Sequence, residues 1–289
     1  MKLILVELNE INFDAVRHYC NYNSLPGFQS IIDKLVITES EKEYKNLEPW
    51  IQWPSVHTGK KFHEHNVFRL GDFVNSNEEQ FFEKVEKSGF KVGAVSPMNA
   101  KNNLSNPAYF IPDPWTQTNS DGSFFSKSIS SGISQAVNDN SQSKLTFSTI
   151  IKLSLSFLAL VNPLRFLPLI FFALSAHTKS WRKALFLDLF LYEIHKTLFR
   201  RKKADFSTIF LNAGAHIQHH YFYNTSFVSS KLLKNPSWYI DEKDDPFLEM
   251  LKVYDYIIQD VLKENKTEVI ISTGLSQKPF DELKFYYRL

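Results

Sequence analysis

Leu3-Ile4-Leu5-Val6-Glu7-Leu8-Asn9-Glu10 opens the chain and decides its fold. Six residues, apolar apart from Glu7, run into two polar ones. A run this short and this apolar predicts a central parallel strand covered on both faces. Its four apolar residues before Glu7 are too few for a secretory h-region, and no small-residue cleavage site follows. The same grammar recurs at Phe90–Val95, Phe206–Leu211 and Glu268–Ser272. Between these runs, Phe13–Tyr19, Phe28–Leu35, Glu78–Gly89 and Phe247–Leu262 carry apolar residues at helical spacing. Gly89 provides a stop for the third of these helices. Strands alternating with helices predict an α/β fold, a mostly parallel sheet sandwiched by helices. Sites in such sheets lie at the carboxyl ends of the strands.

The middle of the chain breaks the rhythm. Residues 99–145 are rich in Asn, Ser, Gly and Gln, with Pro107, Pro112 and Pro114, and read as loop. Leu153–Leu174 is the most apolar segment, interrupted by Lys152, Asn162-Pro163, Arg165 and Pro168. It reads as two helices split at Asn162-Pro163, followed by Trp181–Leu198 and the basic run Arg200-Arg201-Lys202-Lys203. Two arrangements stay open for this apolar helical insert. Its faces cover the domain, or they dip into a lipid surface with the basic run alongside, a peripheral contact through residues 153–174. The expected organisation is thus a first part of the core over 1–98, loop and insert over 99–205, and a second part of the core over 206–289. The apolar end at Lys284–Leu289 reads as a core truncated at its C-terminus.

Composition excludes several classes. A formal charge of +2 over 289 residues, with no basic stripe, speaks against nucleic acid. Cys20 is the only cysteine, so the chain forms no internal disulfide and no thiolate zinc site. A cytoplasmic protein, attached to the membrane from inside in the second arrangement above, is expected.

The polar residues after the strands carry the candidate chemistry. His216-Ile217-Gln218-His219-His220 follows an apolar strand, and His216 and His220 share a helix face and could ligate one divalent metal, zinc or manganese. A third ligand could come from Glu7, Glu10, His57 or Asp281. Ser55 and Thr58, flanking His57, are either nucleophile candidates or helix caps. Tyr221, Phe222, Tyr223 and Trp238 form either an aromatic packing layer or a platform for a sugar or lipid.

Taken in order, these segments resemble the alkaline phosphatase-like superfamily of phosphodiesterases, sulfatases and phosphomutases. Leu8-Asn9-Glu10 stands where the family has Leu-Asp-Gly, and Gln52-Trp53-Pro54-Ser55-Val56-His57-Thr58-Gly59 is similar to the nucleophile segment. Asn212-Ala213-Gly214-Ala215-His216 resembles the Asp-x-x-x-His element, Tyr254-Asp255 the Tyr-Asp helix, and Ser272-Thr273-Gly274-Leu275-Ser276 the last strand end. The resemblance implies a hydrolase or a transferase of phosphate or sulfate esters, acting on a phosphorylated, lipid-linked or glycan substrate. Ser55, Thr58 and His57 would be catalytic; Asn9, Gln52, Asn212 and Thr273 would bind substrate; His216, His220 and Glu10 would hold metal. The family's two-metal centre is not expected, because Asn9, Gln52, Asn212 and Gly274-Leu275 stand at its anionic and nucleophilic positions, and paired dications require negative charge. The alternative is a catalytically degenerate member that binds ligand without turnover, as a membrane-peripheral component of envelope polysaccharide assembly.

Overall fold

The computed structural model describes residues 2–38, 41–138, 146–229 and 234–279. The described chain runs β1 (Lys2–Leu8), α1 (Phe13–Cys20), α2 (Pro26–Ile31), α3 (Pro49–Thr58), α4 (Phe62–His65), α5 (Phe81–Lys87), β2 (Val92–Val95) and β3 (Tyr109–Ile111). It continues through α6 (Phe124–Asn138), α7 (Phe147–Leu160), α8 (Phe166–Ser175), α9 (Arg182–Lys202), β4 (Phe206–Leu211), α10 (Ala213–Tyr221), α11 (Pro246–Val261) and β5 (Thr267–Ser272). Five strands form one sheet in the order β3-β2-β4-β1-β5, and every pairing is parallel. The protein is therefore α/β with helices flanking a parallel sheet.

β1 lies between β4 and β5, with Leu3 opposite Phe206 on one side and Glu268 on the other. Alternation along the strand divides its side chains between two cores. Ile4, Val6 and Leu8 pack into the large cluster with residues of α1, α9, α10 and α11, while Leu5 joins Phe82, Val92 and Phe206 on the opposite face. Trp53, Met98 and Phe210 make a third, smaller cluster beneath α3.

Residues 99–145, expected as loop, contribute more than loop. Tyr109–Ile111 is the edge strand beside β2, and Phe124–Asn138 is a helix. β3 escapes a sequence reading because it is three residues long and lies between prolines. α6 escapes because its apolar stripe, Phe125, Ile129, Ile133 and Val137, is interleaved with Ser126, Ser128 and Gly132 in a stretch whose composition reads as loop. A Cβ on Gly132 would stand 2.6 Å from Leu153 of α7, so glycine lets the two helices close up. The apolar segment breaks at Val161-Asn162, where Asn162 Oδ1 accepts from the Leu164 amide, and the chain turns by 118° between the two arms. Among the described residues no single helix is long and apolar enough to cross a membrane. α9 is embedded in the core, burying Leu185, Asp188, Leu189, Tyr192, Ile194 and Leu198. In the basic run that closes α9, Arg200 bonds Glu264.

Candidate functional site

The carboxyl ends of β1 and β4 bring Asn9 and Asn212 together. Asn9 Nδ2 donates to Asn212 Oδ1 at 2.8 Å, and Trp53 Nε1 donates to Asn9 Oδ1 at 2.9 Å. Asn9 is buried, and both ends of its amide are engaged. The Cβ position of Gly274 lies 3.0 Å from the Trp53 ring, so the segment after β5 closes the same centre. Thr273 takes part through a local turn, its hydroxyl donating to the Leu275 carbonyl. These contacts make an uncharged, mutually satisfied cluster. Both amide oxygens already accept N–H groups, and the carboxylates nearest in the chain and at the helix start, Glu10 and Asp188, are bonded to His219 and to the Asn212 and Ala213 amides. The donor set does not fit two divalent cations.

A helix that begins after a strand commonly offers its free N–H groups to an anion. At α10 the protein's own carboxylate takes them. Asp188 of α9 accepts from the Asn212 amide (3.1 Å), the Ala213 amide (2.8 Å) and the Tyr254 hydroxyl (2.7 Å), while Tyr254 Oη accepts from the Gly214 amide (2.9 Å). Burial pushes the Asp188 carboxyl up to about 6 despite these donors, and it raises the Tyr254 phenol well above its ordinary value. α10 approaches β1 so closely that a Cβ on Gly214 would stand 2.3 Å from Ile11 Cδ1 and 3.2 Å from the Asn9 carbonyl oxygen. Asp255, in the Tyr-Asp pair, turns away from this centre. It accepts from the Phe28 amide at the start of α2 and from Gln259 Nε2.

The nucleophile-like segment is α3, and its polar side chains point to separate places. Pro49 sits at the helix start, and Pro54 has no N–H for the Trp50 carbonyl. Asn99 Nδ2 donates to that carbonyl instead, at 2.7 Å. Gln52 Nε2 bonds the Asn46 carbonyl. Thr58 Oγ1 donates to the Pro54 carbonyl and receives the Lys60 amide, at the C-terminal end of the helix. His57 is fully buried on the far face of β1, with Nε2 3.1 Å from Glu7 Oε1, which also accepts from Thr208 Oγ1. Among the described residues His57 Nδ1 and Glu7 Oε2 have no hydrogen-bond partner. Ser55 Oγ lies 2.9 Å from His65 Nε2 and 3.2 Å from the Ile51 carbonyl. The Val67 amide donates to His65 Nδ1 at 3.0 Å, so in the neutral ring the proton sits on Nε2. His65 is then a donor to Ser55, which passes its own hydrogen to Ile51. Burial lowers the His65 pKa and keeps the ring neutral. In this tautomer the ring has no free lone pair with which to deprotonate the serine.

Helix phase divides the histidine cluster. His216 and His220 stack with ring centroids 4.7 Å apart. Glu10, expected beside them, pairs with His219 instead, Nε2 to Oε2 at 2.7 Å. Glu10 is 3% exposed and takes a left-handed conformation (φ 59°), and its carbonyl accepts from Gln218 Nε2 and from the Gln277 amide. The hydrogen bond to Glu10 raises the His219 pKa, whereas desolvation within the cluster and the neighbouring imidazoles hold the solvent-exposed His216 down to about 4. Glu48 is raised by burial and then by the charge of Glu10. Of the other third-ligand candidates, Glu7 and His57 are paired on the other face of the sheet, and Asp281 lies outside the described residues. Among the described residues no three His, Cys, Asp or Glu side chains converge as a ligand set.

Beyond His220 the surface is aromatic. Tyr239 Oη lies 3.1 Å from His220 Nδ1, Tyr239 stacks on buried Tyr221 at 5.5 Å, and Trp238 is 83% exposed beside it. Sequence reasoning passed over Asp188, Glu48 and His65. Asp188 carries a signal, as the first acid after a long acid-free stretch and inside an apolar helix. Glu48 and His65 carry none without their partners. The chain matches no protein-family model, no curated protein and no solved structure.

Proposed function

We propose that this chain is a catalytically degenerate member of the alkaline phosphatase-like fold that binds a glycan at the carboxyl edge of its sheet without turning it over. The Asn9 amide, held between Trp53 and Asn212, carries this reading. It stands where the family has a charged aspartate, and its oxygen already accepts the Trp53 N–H. Order and placement support the kinship, since Asn9, Asn212 and Thr273 follow β1, β4 and β5. Glu10 also has the positive φ that suits the glycine of Leu-Asp-Gly.

Electrostatics favours the sugar over the phosphate portion of a ligand. The helix N-terminus that would receive an anion is filled by Asp188, and the one histidine with a raised pKa, His219, is paired with Glu10. Carboxylates suit sugar hydroxyls, and exposed Trp238 and Tyr239 offer faces for the apolar side of a sugar ring. Calorimetric titration with neutral oligosaccharides and their phosphorylated counterparts tests the proposal. The expected result is binding of the neutral sugar that weakens about tenfold in Trp238→Ala, an aromatic contact of roughly 1–1.5 kcal/mol. Binding that requires the phosphate, or metal-dependent release of phosphate, would overturn it.

A further inference from the structure

α7 is apolar on both sides. Its inward side carries Leu160 into the core, with Phe157 packed beside it and Leu153 against Gly132, while Ile150, Ile151, Leu155 and Leu158 face outward. A helix on the surface of a water-soluble domain keeps its outward side polar. α8 carries the pattern further. Between Phe166 and Leu174 it has no polar side chain, and it buries only Leu169 and Phe172. Leu167 (79% exposed), Ile170, Phe171 and Leu174 face outward, and Leu164 at the bend is 83% exposed. Contiguous apolar surface on this scale marks a place where something other than water sits.

Charge decides what sits there. From Thr146 to Leu187 the chain has no Asp or Glu, but it has Lys152, Arg165, Lys179, Arg182 and Lys183. Arg165, Lys179 and Arg182 are engaged by Glu193, Asp244 and Glu249 of other elements. Lys152, exposed among the outward Ile and Leu residues of α7, and exposed Lys183 remain as cations at the margins. A subunit interface is generally depleted of lysine at its core and surrounded by mixed charge. An apolar face whose own segment has no acids, with exposed lysines and with the acids of neighbouring elements paired to Arg165, Lys179 and Arg182, is a composition that settles at an anionic lipid surface. The arms are 14 and 10 residues long and meet at 118°, so neither spans a bilayer of about 30 Å.

We infer that α7 and α8 form a monotopic membrane anchor whose outward apolar face enters one leaflet of an anionic bilayer. The inference does not depend on the glycan reading, since it uses none of the carboxyl-edge residues. Flotation of the full chain with vesicles of phosphatidylcholine alone, and of an equimolar mixture with phosphatidylglycerol, tests it. The chain is expected to float with the mixed vesicles and less with the neutral ones. Leu158→Asp combined with Leu167→Asp is expected to reduce partition at least about tenfold, through the loss of buried methylenes and the added charge. These positions are solvent-facing, so the thermal midpoint of the variant should match the parent and separate lost binding from lost folding. Failure of the intact chain to float with either vesicle would overturn the inference. So would a lipid-independent dimer, seen by light scattering, that the same two substitutions dissolve.

Discussion

The carboxyl edge of the sheet and the α7–α8 face are opposites. At the edge nearly every polar group already has a partner within the protein: Asn9 holds Asn212 and Trp53, Asp188 holds the start of α10, and Glu10 holds His219. On α7 and α8 the inward apolar groups, Phe157, Leu160, Leu169 and Phe172, join the core, while Ile150, Ile151, Leu155, Leu158, Leu167, Ile170 and Leu174 face outward. Where a catalytic centre would need unsatisfied, charged groups, this chain has satisfied and mostly neutral ones. Where a soluble protein would have a satisfied polar surface, it has bare hydrocarbon. The difference puts the satisfied polar contacts at the sheet centre and the unmet apolar surface on the outward sides of the two arms.

The comparison breaks most visibly at Asp188. Asp188→Ala leaves two amides and a phenol buried without their acceptor, and is expected to lower stability by about 3–4 kcal/mol in chemical denaturation. A loss below about 1 kcal/mol would mean the start of α10 is open to solvent after all. Gly214→Ala comes next, at roughly 1–3 kcal/mol, because its Cβ meets Ile11 and the Asn9 carbonyl. The same denaturation series measures it, and a neutral outcome would show that the edge can relax.

Asp188 also makes a pH prediction. Its folded pKa of about 6 exceeds the unfolded value of about 3.9, so its contribution is fully present below pH 4 and is lost as pH rises towards 6. His216, held near 4, acts in the opposite sense, because the unfolded chain takes up its proton first, from about pH 6.5 downward. Asp188→Asn deletes only the first contribution. Melting curves of the variant should therefore fall more steeply than the parent's on acidification from pH 6 to 4. Parallel curves would contradict the burial assigned to Asp188.

Two smaller effects sharpen the contrast. Ser55→Ala is expected to cost about 1 kcal/mol, the worth of a structural hydrogen bond to His65. On the apolar face, Leu158→Asp with Leu167→Asp should leave the unfolding free energy within about 0.5 kcal/mol of the parent, as ordinary surface substitutions do.

How much of this was legible in the sequence follows from where the information lies. β1, β4 and α11 declare themselves, since Leu3–Leu8 and Phe206–Leu211 are largely apolar and Phe247–Val261 has apolar residues at helical spacing. β3 and α6 do not, because a three-residue edge strand between prolines is too short for a pattern and the Phe125, Ile129, Ile133, Val137 stripe of α6 is diluted by the serines and Gly132 around it. The site was half legible. Asn9, Asn212 and Thr273 could be read as strand-end residues, and the histidines as a cluster. Helix phase shows that His216 and His220 share a face, but only the tertiary fold turns His219 toward Glu10. Ser55 and Thr58 could be seen as caps or nucleophiles, and His65, which holds Ser55, is ten residues away. Asp188 reaches the site from the helix before β4, at a separation no local pattern encodes.

The neutral centre is tested most directly by metal analysis of the purified chain, coupled to hydrolysis of bis(p-nitrophenyl) phosphate with added zinc or manganese. The account predicts no rate above buffer and no stoichiometric metal removed by Asn9→Ala. Metal-dependent hydrolysis that Asn9→Ala abolishes would contradict it.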